Sequence, residues 1–221
     1  MLHEADHGRV TDAVAAAEAA TAGEIVTIVA RTSDRYVDVA WAVAGLSALG
    51  ALAFHIAFPF VVDGLAGAIG GGWETPPRVV HDWLLFGLVT VKFLAARLLL
   101  QWMPLRLLFV LPGLKRARVA ARAEELFRVG AERRTRGATG ILVYLSLAEH
   151  RAEILADRAI AEKVEPEAWG EAMAALLDRV RAGDIAAGMA AAVEQVGALL
   201  AAHFPKGDDN PNELPDRLIE L

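Results

Sequence analysis

The sequence predicts a small α/β sandwich interrupted by a two-helix transmembrane hairpin. Three observations predict it. Two short runs of β-branched and apolar residues, EIVTIVA (24–30) and GILVYLSL (140–147), read as buried strands. Between them lie two long apolar blocks, 39–62 and 83–102, of membrane-spanning length. Outside those blocks the chain is mostly Ala-rich segments with helical spacing and helix-end signals. At 221 residues the chain is long enough for one ordinary domain and a modest addition, not for two full domains.

Composition narrows the function classes. The hydrophobic fraction is 55% and the mean hydropathy +0.38, an excess concentrated in the two blocks. Lys+Arg 22 against Asp+Glu 28 gives a net charge of -6, so no global basic excess coats a nucleic acid. Cys 0 excludes disulfides, thiolate metal sites and cysteine nucleophiles.

Residues 1–38 form a first helix–strand unit. Val10, Val14 and Ala17 recur at helical spacing, Gly23 ends the helix, and 24–30 is the strand. The beginning of the chain has neither a basic n-region nor an apolar h-region, so no cleaved signal peptide is expected.

Residues 39–111 are the hairpin. The first span, about 41–62, holds no Asp, Glu, Lys or Arg; its one ionisable group is His55, and Trp41 stands where an interfacial anchor belongs. Ala40, Ala44 and Ala48 give it a small-residue face for close packing. The second span, about 83–102, is bracketed by Trp83 and Trp102 but contains Lys92 and Arg97, and an intramembrane cation costs about 2.5–3.5 kcal/mol on insertion scales. Counting depth inward from the tryptophans puts Ser47 level with Arg97, and His55 within a turn of Lys92. Arg97 reads as snorkelling to the headgroups; Lys92 is a snorkeller, part of a polar seam between the two helices, or a cation directed at an oligomer partner. The connection 63–82 carries only Arg78, whereas Arg106, Lys115, Arg116, Arg118 and Arg122 follow the second span and Arg9, Arg31 and Arg35 precede the first. The positive-inside rule then makes both termini cytoplasmic and the connection external. The basic run at 115–122 also suits contact with anionic headgroups.

Residues 112–204 complete the domain: a basic helix from Leu114, the strand at 140, a second strand AEILA (152–156), a helix opened by Pro166 and closed by Gly183, and an apolar helix capped by Asp184 and stopped by Pro205. Residues 205–221 form an acidic, Pro-containing tail that is either solvated or docks through Leu214, Leu218, Ile219 and Leu221.

His3-Glu4-Ala5-Asp6-His7 spells H-E-x-x-H, the zinc-protease pattern of two imidazoles on one helical face with a Glu base. It opens at residue 3, where ends fray, and His55, His81, His150 and His203 offer no obvious third ligand. No phosphate-binding glycine loop or nucleophile elbow is present. Of the carboxylates near strand ends, Asp184 reads as a helix cap and Asp157 as an ion pair with Arg158 before a ligand. No catalytic, cofactor or metal residue is assigned.

The segments TGILVYLSLAEHRAEILADRAI, EAWGEAMAALLDRVRAGDIAAGMAAAVEQVG and HFP with NELPD, together with TAGEIVTIVAR, resemble the TPM-domain family. Within it, the chain is most similar to a bacterial membrane branch in which a two-helix hairpin interrupts the domain. The resemblance implies a Rossmann-like α/β sandwich and a membrane-associated accessory role, with calcium binding and a weak acid phosphatase activity attributed to some members. The carboxylate-rich turn of the metal-binding members is here TRGATG (135–140), without Asp or Glu. Hard cations want several charged oxygens, so no cofactor is expected and the phosphatase remains the alternative. The partners expected are the bilayer and another membrane protein or complex, with homo-oligomers open and nucleic acid excluded.

Overall fold

The computed structural model describes residues 2–69, 77–130, 139–206 and 216–221. Contacts divide the chain into two compact units, one made of Met1–Asp34 with Pro112–Leu221 and the other of Arg35–Leu111.

The first unit is built on a four-stranded sheet. Strands β1 (Glu24–Ala30) and β2 (Gly140–Ser146) pair in parallel, Glu24 opposite Gly140 through Ala30 opposite Ser146. Strand β3 (Arg151–Ala156) returns antiparallel to β2. Both central strands are buried at every position, which is why they read as continuous apolar runs rather than as alternating ones.

Helices cover both faces. On one lie α1 (Glu4–Glu18), α8 (Pro166–Arg181) and α9 (Ile185–His203), which bring Val10, Val14, Leu176, Met189 and Val196 against Ile25, Val29, Ile141, Val143 and Leu145. On the other, α6 (Pro112–Gly130) lays Val119, Ala123 and Phe127 on Val26, Ile28, Leu142 and Tyr144. Each fully buried side chain of this size contributes about 1.5–3 kcal/mol. The result is the mixed α/β sandwich the sequence predicts, with a short helix α7 (Arg158–Ala161) after β3.

The tail adds an element that has no sequence signal of its own. Ile219 and Glu220 form β4, parallel to Ile28 and Val29 at the far edge of the sheet, giving the order β3-β2-β1-β4. Leu218 is buried in the core. Of the two readings of the tail, its end takes the docked one; residues 207–215 lie outside the described residues.

The second unit contains α2 (Val37–Ala57), α3 (Phe60–Ile69), α4 (Arg78–Leu99) and α5 (Met103–Leu108). The first apolar block is therefore one long helix and the start of another. Pro59 has no N–H to continue the ladder, and α2 ends just before it. The second long helix starts at Arg78, five residues before the sequence expectation, because Pro77 supplies a fixed φ at its N-cap. Helices α2 and α4 pack antiparallel: Trp41 lies 6.0 Å from Phe93 between ring centroids, and His55 5.1 Å from His81. Ala40 and Ala44 are fully buried, the small-residue face the sequence shows. Arg106, 8% exposed, donates to the carbonyls of Leu100, Gln101 and Arg35. It thereby satisfies carbonyls just past the end of α4 that would otherwise lack donors.

Three described helices are long and apolar enough to cross a membrane: α2, α4 and α9. They differ in where their apolar surface goes. In α9, 61% of the apolar stretch is buried in the domain core, against 11% in α2 and none in α4.

Candidate functional site

Parallel strands present their carboxyl ends together, and open α/β sheets bind ligands there. In this domain β1 and β2 end side by side at Ala30 and Ser146. The backbone continues the pairing past both ends, Leu147 N–H donating to the Ala30 carbonyl at 2.9 Å and Ala148 N–H to the Arg31 carbonyl at 3.0 Å. Segment 31–34 is thereby laid over the end of β2.

A polar network occupies this edge. The Ser33 hydroxyl lies 2.9 Å from the Tyr144 hydroxyl and donates to Ser146 Oγ at 2.9 Å. Ser146 in turn donates to Glu149 Oε2 at 2.5 Å. Glu149 Oε1 accepts from the Thr32 hydroxyl and the Ser33 N–H, each at 3.0 Å. Glu149 is 5% exposed, and Ser146 and Tyr144 are fully buried. Burial pushes the Tyr144 hydroxyl up, against the lowering effect of its contacts with the Ser33 and Ser146 hydroxyls. Every group named here has a partner within the network, so the arrangement locks the strand ends rather than presenting a free nucleophile.

Beside it opens a recess of about 350 Å³. Leu145, Leu147, Leu177, Val180 and Ile185 wall it, with His150 and Arg181 contributing the polar groups. His150 sits in the tight β2–β3 turn at φ 51, a left-handed conformation that costs a non-glycine residue energy. Apolar walls with an imidazole and a guanidinium suit an apolar side chain or a small apolar anion.

The opposite, amino edge collects carboxylates. Glu18, 7% exposed, accepts from the Ile25 N–H at 2.7 Å, while its Oε2 is buried with no hydrogen-bond partner among the described residues. Burial raises its pKa from 4.5 to about 8, against the lowering hydrogen bond from Ile25, and the nearby Glu24 and Asp216 carboxylates raise it further. Asp157, 5% exposed, accepts from the Gly140 N–H at 3.0 Å and so fixes the start of β2 to the end of β3. Its expected ion pair with Arg158 is not made: the Arg158 guanidinium points outward to Glu162 at 2.6 Å. The buried N–H at the head of β2 outcompetes an exposed neighbour, because an unpaired amide there costs more than a surface ion pair gains.

The remaining sequence candidates scatter. Asp184 caps α9 by accepting from the Ala187 N–H at 2.8 Å, as its position implies, and also meets Arg9 at 3.2 Å. In the H-E-x-x-H segment, His3 donates its backbone N–H to Asp6, and His7 Nε2 lies 3.2 Å from Glu220 of β4. The Leu2 N–H and then His7 hold the Glu220 carboxyl below its ordinary range. Among the described residues no three His, Asp or Glu side chains converge as a metal site. Residues 135–138 of the TRGATG turn lie outside the described residues. Of the basic run, Arg118 pairs with Asp34 at 2.7 Å and Arg122 with Glu125 at 2.7 Å.

In the helical unit the depth matches shift. Arg97 stacks over Trp41, 4.7 Å from the ring centroid, rather than standing level with Ser47. His55 faces His81, not Lys92, and His81 Nε2 lies 3.3 Å from Asp63. The register follows from α4 starting at Arg78, which moves its early residues beside the end of α2. The Ser33–Tyr144–Ser146–Glu149 network and the raised Glu18 escape sequence reading, since they join residues more than a hundred positions apart, or a helix end to a strand. Their only sequence trace is a polar residue closing an apolar strand.

Comparison with known proteins agrees with this architecture. The family model described as the TPM domain matches residues 108–199. The NMR structure of the BA42 protein from the psychrophilic bacterium Bizionia argentinensis superposes with a TM-score of 0.59 at 17% identity, covering 100% of this chain and 96% of that one. At that identity the likeness is one of fold. No curated protein matches.

Proposed function

We propose that this chain, which carries a TPM domain over residues 108–199, is a membrane-anchored accessory factor and not an enzyme. Helices α2 and α4 form a two-span hairpin in the cell membrane, both termini are cytoplasmic, and the domain binds another membrane protein or assembly on that side. The observation that carries the reading is the contrast between equally apolar helices. Leu46, Leu49, Phe54 and Ile56 of α2 and Trp83, Phe86, Val91, Leu94 and Leu98 of α4 are all more than half exposed, whereas α9 spends its apolar surface in the core. An exposed apolar belt along two helices of about 30 Å suits hydrocarbon and not water. The basic residues after α4 and before α2 support the orientation.

The accessory role is supported by the carboxyl edge of the sheet. Its hydroxyls and carboxylate are engaged with one another, and what it leaves open is the apolar recess, which fits a partner's side chain better than a reaction. The alternative, a metal-assisted acid phosphatase, rests on Asp157, whose carboxylate is held by the Gly140 N–H. The test is purification in mild detergent at natural expression level. The expected result is a stoichiometric membrane-protein partner whose retention falls at least tenfold in Leu177→Trp, which fills the recess. Saturable, metal-dependent hydrolysis of a phosphate ester by the purified protein, lost in Asp157→Asn, would establish the alternative instead.

A further inference from the structure

Lys92 stands on the outside of α4, exposed, and takes no hydrogen bond or ion pair from any described residue. The face of α4 turned to α2 is marked by His81, Phe93 and Arg97. On the opposite face Val80, Trp83, Leu84, Gly87, Leu88 and Val91 line a shallow groove of about 480 Å³. Gly87 gives the groove its depth, since nothing lies within 4 Å of where a Cβ would stand. Lys92 flanks that groove one turn on from Leu88.

On the two-span reading, on which this inference rests, the position of Lys92 is costly. It lies seven residues before Leu99, about 10 Å short of the helix end. Side chains on a helix tilt toward its N-terminus, so Lys92 leans toward the bilayer centre and away from the nearer interface. Arg97, one turn and a half nearer that end, already has the Trp41 ring; Lys92 has nothing. An ionisable residue inside the hydrocarbon marks a function by default, and its partner must supply the opposite charge. A second copy of this chain does not offer a free one: Asp82 lies ten residues, about 15 Å, before Lys92 along α4, and Asp38, which precedes the Trp41 that packs on Phe93, already has an interaction of its own.

We propose that the groove of α4 receives a transmembrane helix of another protein, one bearing an Asp or Glu at the depth of Lys92. Small-residue notches allow close helix approach in membranes, and a buried carboxylate–ammonium pair fixes the register of the two helices.

The test places a photocrosslinking amino acid at Leu84 of the full chain in its native membrane. The expected adduct is a peptide from the apolar span of another protein containing Asp or Glu. Its yield falls at least tenfold in Lys92→Met, recovers in Lys92→Arg, and falls in Gly87→Leu, which fills the groove. An adduct to a second copy, adducts to lipid alone, no adduct, or a yield unchanged by Lys92→Met would each overturn the proposal. Flotation of the same membranes separates this inference from the reading beneath it. Protein that leaves the membrane on alkaline washing refutes the anchor itself; protein that stays, without a Lys92-dependent adduct, refutes only the helix partner.

Discussion

Arg118 Nη1 donates to Asp34 Oδ2 across 2.7 Å, joining two residues that flank the inserted helical unit in sequence. Asp34 is the last residue of the domain before the insertion, and Arg118 lies on the first turns of α6 after it. Together with the Ser33 contacts to Tyr144 and Ser146, this pair clamps the exit of the first helix–strand unit onto the rest of the sheet. A domain split across an insertion needs such ties, because each half alone leaves the sheet unpaired.

The pair is partly exposed, with side chains 36% and 27% accessible, so its own contribution is modest. A double-mutant cycle with Asp34→Ala and Arg118→Ala should give a coupling of about 0.5–1 kcal/mol by chemical denaturation in detergent. Each single substitution should cost more than that, because both residues make further interactions. Zero coupling would remove the clamp.

Glu18 sets a pH dependence. Its folded pKa of about 8 lies above the ordinary carboxyl value of 4.5, so the folded state holds the proton more tightly than the unfolded chain. The associated stability is fully present below about pH 4.5 and is lost as pH rises through 8. Across that window unfolding free energy should fall by a few kcal/mol, and Glu18→Gln should flatten the profile. Melting temperatures measured from pH 5 to pH 9 on both proteins check it; an unchanged slope in Glu18→Gln would contradict the assignment.

Helix α9 approaches α1 so closely that only glycine fits at one crossing. A Cβ at Gly197 would stand 2.5 Å from the Ala17 Cβ, so either the helices separate or the core strains. Gly197→Val should destabilise the domain by about 2 kcal/mol or more, with a matching loss in melting temperature. A melting temperature within a degree of the parent would show that α1 and α9 do not pack as described.

Much of this architecture is legible in the sequence because the responsible signals are local. The strands at 24–30 and 140–146 announce themselves as continuous apolar runs, Pro166 opens α8, and Gly183 and Asp184 mark the boundary between α8 and α9. Depth in the helical unit is less legible, because Pro59 and Pro77, not the tryptophans that bracket the apolar runs, set the ends of the helices. Strand β4 is two residues long and is held by the neighbouring Val29 backbone and by Glu220 contacts to Leu2 and His7, none of which has a local signature. The candidate recess was equally unreadable: Leu145, Leu177 and Ile185 look like ordinary core residues until the turn at His150 leaves a space between them.

The chain contains no cysteine, so single introduced cysteines report topology without background. Ala68, exposed on α3, lies between the two proposed spans, and Ala174 is exposed on α8. In intact cells a membrane-impermeant maleimide should label Ala68→Cys and leave Ala174→Cys untouched until the membrane is opened. Labelling of Ala174→Cys from outside, or of Ala68→Cys only after permeabilisation, would contradict the two-span anchor with a cytoplasmic domain.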